Sequence, residues 1–191
     1  FWSVRFLIVG GRGGLLDRNY AVAAQAIGTG AIKTAAQLAD RLKEILPSDA
    51  IFETAFAEAR VSQNYLARYY LRALERQAKG EDEPEYVPMD EENVINLEHV
   101  LPENLSQGWA GIDTETASAY YKRLGNMVLL QAKKNSMIGN SPYADKKKVL
   151  VDSTFTLTEE AGKQQSWGPQ EILKRQQKLA KLAIKTWPLS I

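Results

Sequence analysis

An acid beside a base, Glu98-His99, is followed along this chain by two asparagines nine positions apart, Asn126 and Asn135. His99 is the only histidine. In that order these side chains suggest hydrolysis of a phosphodiester at a one-metal site. Such a reaction needs a deprotonated water, neutralisation of charge growing on the phosphoryl oxygens, and help for the departing 3′ oxygen. A neutral imidazole can take the proton from water near physiological pH. A divalent cation can do the other two tasks. Mg²⁺ asks for oxygen ligands, of which one or two come from protein and the rest from water and substrate phosphate. Glu98, His99 and Asn135 meet those needs if the fold brings them together.

The elements around them predict a small finger. Val94, Ile95 and Leu97 alternate as in a β-strand that ends at Glu98-His99, and Pro102 stops it. A second strand is expected over 127–131, antiparallel to the first, with a helix from Lys133 to Ile138 lying across both. Neighbours on a strand point to opposite faces. Glu98 and His99 can therefore share one centre only where the strand bends. Ahead of the finger, residues 1 to about 79 read as helices. Pro47 stops one of them, and Ser48, Asp49 and Ser62 are candidate caps. Over 62–78, Tyr65, Tyr69, Leu71 and Leu74 are expected to face the core, and Arg68, Arg72 and Arg76 to form a solvated row. Gly10-Gly-Arg-Gly-Gly14 lacks the preceding strand and following Lys-Ser/Thr of a phosphate-binding loop, and reads as a turn. Residues 80–92, acidic with Pro84 and Pro88, read as a linker. Behind the finger come helices from Asp113 or Thr114 to Leu124, from Tyr143 to Val149, and from Gly168-Pro169 to Thr186, with a polar turn over 152–158. Trp109, Trp167 and Trp187 are expected in the core. Asn140, beside Ser141-Pro142, reads as a turn or cap residue.

Composition sets limits. The 191 residues are 45% hydrophobic and 25% charged, as in a globular domain, and no apolar run approaches the roughly 20 residues that span a bilayer. The start lacks Met, a basic leader and a cleavage site, so it reads as a cut from a longer chain with Phe1 already in a buried helix. With no cysteine, disulfides and thiolate metal sites are excluded, and a cytoplasmic location is expected. The net charge of +1 hides segregation. Eight acids and no bases lie over 81–98, seven bases against one acid over 122–148, and six bases against one acid over 163–185. Local basic surfaces of this kind suit a polyanion. Lys133, Lys134, Lys146 and Lys147 are the candidate phosphate contacts.

Glu98-His-Val-Leu-Pro102, Leu124-Gly-Asn-Met-Val-Leu-Leu130, Lys133-Lys-Asn135, Asn140-Ser-Pro-Tyr-Ala-Asp-Lys-Lys147 and the late Trp167…Ile172…Arg175…Leu179…Trp187 pattern together resemble a known domain. It is the HNH (His-Me finger) nuclease domain at the C-terminus of GmrSD-type restriction enzymes. The likeness covers roughly residues 93–188. It implies a mainly α chain carrying a small ββα-metal insertion, with a helical region and linker over 1–92 and the nuclease domain over 93–191. It implies Mg²⁺ or Mn²⁺ held by Glu98 and Asn135, His99 as general base, and Asn126 bracing the finger or orienting the imidazole. Glu98 stands where the wider HNH pattern has Asp. The implied substrate is double-stranded DNA, of phage in a defence setting. The implied partner is a nucleotidase-like domain earlier in the same parent chain, and one branch of the family responds to backbone phosphorothioate marks. Two rival readings are a DNA-binding module without activity and a helical subunit-interaction module.

Overall fold

A computed structural model describes residues 2–10, 13–43, 45–80, 94–109 and 111–189. Five helices come first: α1 (Trp2–Val9), α2 (Gly13–Gly28), α3 (Ala35–Lys43), α4 (Asp49–Glu58) and α5 (Asn64–Lys79). Then follow β1 (Ile95–His99), α6 (Thr114–Tyr121), a 3₁₀ turn (Leu124–Asn126), β2 (Met127–Gln131), α7 (Ala132–Ile138), α8 (Tyr143–Leu150), α9 (Thr156–Gly162) and α10 (Pro169–Thr186). The protein is mainly helical, with one two-stranded sheet among the described residues. None of the described helices is long and apolar enough to cross a membrane. Beyond Gly80, the acidic stretch read as a linker lies outside the described residues, as do Phe1 and the centre of the glycine cluster, Gly11-Arg12.

Local signals place several boundaries. Ser48 caps α4 by accepting from the Ile51 amide, and Asp113 caps α6 by accepting from the Thr116 amide at 2.7 Å. Gly80 ends α5 in the left-handed conformation (φ 71°) that a Cβ disfavours. Ser62 is not a cap, because α5 starts two residues later behind Gln63. The buried face of α5 is Ala67, Tyr70, Leu71 and Leu74, while Tyr65 and Tyr69 are exposed. The arginines at 68, 72 and 76, expected in solvent, are half-buried. Both differences follow from a face rotated toward Tyr70, which packs on Phe56 and Trp187.

Three apolar clusters fill the interior. The largest joins α4 and α5 (Phe52, Phe56, Leu71, Leu74) to Leu124, Met127, Leu129, Leu179 and Trp187. A second lies on the other side of the sheet, with Val100, Leu101, Val128, Leu130, Ile138, Trp167 and Ile172. A third, smaller one holds α1, α2 and α3 together through Phe6, Ala23 and Leu42. The three expected core tryptophans are all buried.

Buried polar side chains lock α10 to the 3₁₀ turn. Gln176 accepts from the Gly125 amide at 2.6 Å and donates to the Phe56 and Ala59 carbonyls. Arg175 donates to the carbonyls of Leu124, Gly125 and Met127. The approach is so close that a Cβ on Gly125 would sit 2.2 Å from the Ile172 carbonyl oxygen. Gly125→Ala must therefore push backbone apart, and overpacking of this kind costs about 1–3 kcal/mol or more. Urea unfolding should show a loss of at least about 1 kcal/mol; an unchanged midpoint would mean the turn and α10 are not in such contact.

Candidate active site

The sheet is a regular antiparallel pair. Ile95 faces Gln131, Leu97 faces Leu129, Glu98 faces Val128 and His99 faces Met127. The ladder continues one step further, with the Val100 amide donating to the Asn126 carbonyl at 2.9 Å. Cross-strand partners share a face. Leu97, His99, Met127 and Leu129 thus lie on the side of the first core, and Glu98, Val100, Val128 and Leu130 on the side of the second. The bend that would bring Glu98 and His99 to one centre is not formed.

His99 is half-buried and stacks on Tyr121, the last residue of α6, with ring centroids 4.0 Å apart and planes 18° from parallel. Burial, with the charge of Lys146 second, lowers the imidazole pKa to about 4. The ring is therefore neutral at physiological pH, the state a general base requires. Burial also pushes the Tyr121 phenol up, with nearby Glu103 and Glu98 adding to it. Nothing in the spacing of Tyr120-Tyr121 marked Tyr121 as a partner of His99; only the pairing of β1 with the segment after α6 brings them together.

Glu98 is buried, and its Oε1 accepts from the ammonium of Lys146. The same ammonium donates to the His99 carbonyl at 2.9 Å. Burial pushes the Glu98 carboxyl up and the Lys146 ammonium down, and each partner pulls the other back. Lys146 was expected on the surface as a phosphate contact, but its exposure is 0%. It turns inward from the first turns of α8 because the carboxylate facing the second core needs a counter-charge. The metal role of Glu98 meets the same obstacle: its charge is already compensated.

Asn135, at the start of α7, donates from Nδ2 to the Leu97 carbonyl at 3.3 Å. That places its amide over β1 two residues before His99, roughly 7 Å along the strand. Asn126 is fully buried, and its whole hydrogen-bonding capacity is used. Its Oδ1 accepts from the Leu101 amide at 2.8 Å and the Trp167 indole at 3.1 Å. Its Nδ2 donates to the Leu101 carbonyl at 2.8 Å and the Tyr121 carbonyl at 3.3 Å. This is bracing, and no atom of the amide is left over for a substrate. All four bonds of the Asn126 amide thus go to the protein itself.

Of the other candidate phosphate contacts, Lys133 is exposed, Lys147 is half-buried, and Lys134 reaches the Asp152 carbonyl at 3.3 Å. The basic stretch 163–185 is partly balanced: Lys163 pairs with Glu159 and Lys178 with Glu160, each at 2.7 Å. No group of three or more His, Asp or Glu side chains able to hold a metal is assembled among the described residues.

The family model of the GmrSD restriction endonuclease C-terminal domain matches residues 46–182. No curated protein matches the chain.

Proposed function

This chain belongs to the family of GmrSD restriction endonuclease C-terminal domains, and we propose from that premise that it is an HNH-type DNA endonuclease or nickase. In this reading β1, β2 and α7 form the ββα finger, residues 93–191 are the cutting unit, and 1–92 are a helical region before it. The observation that carries it is a half-buried imidazole stacked on Tyr121 at the end of β1, with Asn135 reaching over the same strand from the helix that follows β2.

His99 takes a proton from water, and the water oxygen attacks phosphorus in line with the 3′ oxygen. The P–O3′ bond breaks, the departing oxygen takes a proton from solvent water, and 5′-phosphate and 3′-hydroxyl ends remain. The Asn135 amide oxygen, with substrate phosphate and water, would hold Mg²⁺ or Mn²⁺, which would supply charge neutralisation. Glu98 is left out of this ligand set because Lys146 already holds it. Tyr121 and Asn126 keep the ring and its strand in place. Lys133 and Lys147 are available to DNA phosphates on the surface. The parent protein in this reading is an anti-phage restriction effector whose nucleotidase-like domain precedes the present chain.

Digestion of supercoiled plasmid with Mg²⁺ or Mn²⁺ tests the proposal. Open-circular or linear DNA should appear, and Asn135→Ala should slow its appearance on the order of 10²-fold, as for loss of one preorganised electrostatic group. Plasmid that is bound yet uncut with either cation would support the second reading, a DNA-binding module without activity. The neutralised Glu98 is the observation that favours that alternative.

A further inference from the structure

The hydrolysis proposed above makes no use of the buried Glu98–Lys146 pair. The Lys146 side chain has no exposure and that of Glu98 has 9%. A buried ammonium is costly unless it is both paired and hydrogen-bonded. Here it touches two oxygens, Glu98 Oε1 and the carbonyl of His99. Near the start of α8 the helix dipole does nothing to favour a cation. The attraction that keeps Lys146 inside therefore comes from β1. A carboxylate oxygen and a backbone carbonyl are also what a hard divalent cation takes as ligands. Ammonium and metal compete for the same oxygens.

We propose that the Lys146 ammonium is the resident cation of Glu98, held on the two oxygens that a divalent ion would otherwise take. Through its second bond it fixes the end of β1 at His99. It also keeps Glu98 out of any metal site, so that removing the lysine charge converts Glu98 and the His99 carbonyl into a latent divalent-cation site. The inference does not rest on the cleavage reading, since its readouts are stability and metal binding without DNA.

The test is thermal unfolding of the full chain with and without millimolar Mn²⁺, with bound Mn²⁺ counted by electron paramagnetic resonance. The chains compared are wild type, Glu98→Gln, Lys146→Met and the double variant Glu98→Gln/Lys146→Met. Any Mn²⁺ response of the wild type should be unchanged in Glu98→Gln. Lys146→Met leaves a buried carboxylate alone and should lower Tm by on the order of 10 °C. Mn²⁺ should return roughly 5 °C of that and gain a bound ion. The double variant, with neither charge, should recover most of the wild-type Tm and lose that response. A wild-type Tm that rises with Mn²⁺, with the rise abolished in Glu98→Gln, would overturn the proposal, as would a Lys146→Met protein that folds but gains no ion. Should Lys146→Met fail to fold, the other three chains decide: the proposal then requires a folded double variant and a Mn²⁺ response independent of Glu98.

Discussion

His99→Ala should lower the rate of DNA cleavage about 10²–10⁴-fold, the range carried by a positioned general base, while far-UV circular dichroism stays that of the folded protein. Folding should survive because the ring is only half-buried at the end of β1, and the strand is held by its pairing to β2 and by the bond from Lys146 to the His99 carbonyl. Binding of DNA, measured by mobility shift at low salt, should change little, since an imidazole that is neutral at pH 7 carries no charge to a phosphate. The pH profile adds a second check. A general base works deprotonated, so activity with the free enzyme is retained down the acid side and falls only as pH approaches about 4. Stability moves in the same direction. The folded-state pKa lies below the ordinary value of 6.5, so the neutral ring's contribution is present above that value and is lost as pH falls toward about 4. Unaltered cleavage in His99→Ala would remove the base assignment. An acid limb centred near 6.5 would mean the ring is not desolvated against Tyr121.

How much of this was legible beforehand depends on the range over which each residue finds its partner. β2 over 127–131, the helix start at Gly168-Pro169 and the caps Ser48 and Asp113 rest on neighbours within a few positions, and they stand where local pattern places them. The polar turn expected over 152–158 runs only into the first residues of α9, a helix that local pattern does not announce. Its start is satisfied by Glu75, whose carboxylate accepts from the amides of Thr156 and Leu157 from 81 and 82 positions away. No local window contains that cap. The run Lys146-Lys-Lys148 looks like solvated surface for the same reason. Helical spacing says that successive lysines point in different directions, but only a carboxylate 48 positions earlier selects which one turns inward. The likeness to a nuclease domain named Glu98 and His99 together. The strand pleat separates them, and that separation depends on an unbroken register that adjacency in sequence does not reveal.

Asn126→Ala should be the most destabilising single change at the site. The amide is fully buried, and truncation strands four groups at once: the Leu101 amide and carbonyl, the Tyr121 carbonyl and the Trp167 indole N–H. Three of these bonds are buried, and each buried group left without a partner costs about 1–3 kcal/mol, so even at the low end the total is about 3 kcal/mol. That is a large share of the roughly 5–15 kcal/mol that holds a domain folded. Asn126→Asp keeps the acceptor for Leu101 and Trp167 but loses both donors and buries a charge, so it should rescue little. The change also reaches His99, because three of the stranded groups belong to two residues beside it: Leu101 lies two residues beyond it, and Tyr121 carries the ring on which it stacks. Cleavage by any folded Asn126→Ala protein should therefore fall even at temperatures well below its unfolding midpoint. Urea titration gives the stability directly. A loss under about 1 kcal/mol, smaller than the cost of one unpaired buried group, would show that the amide does not brace the turn.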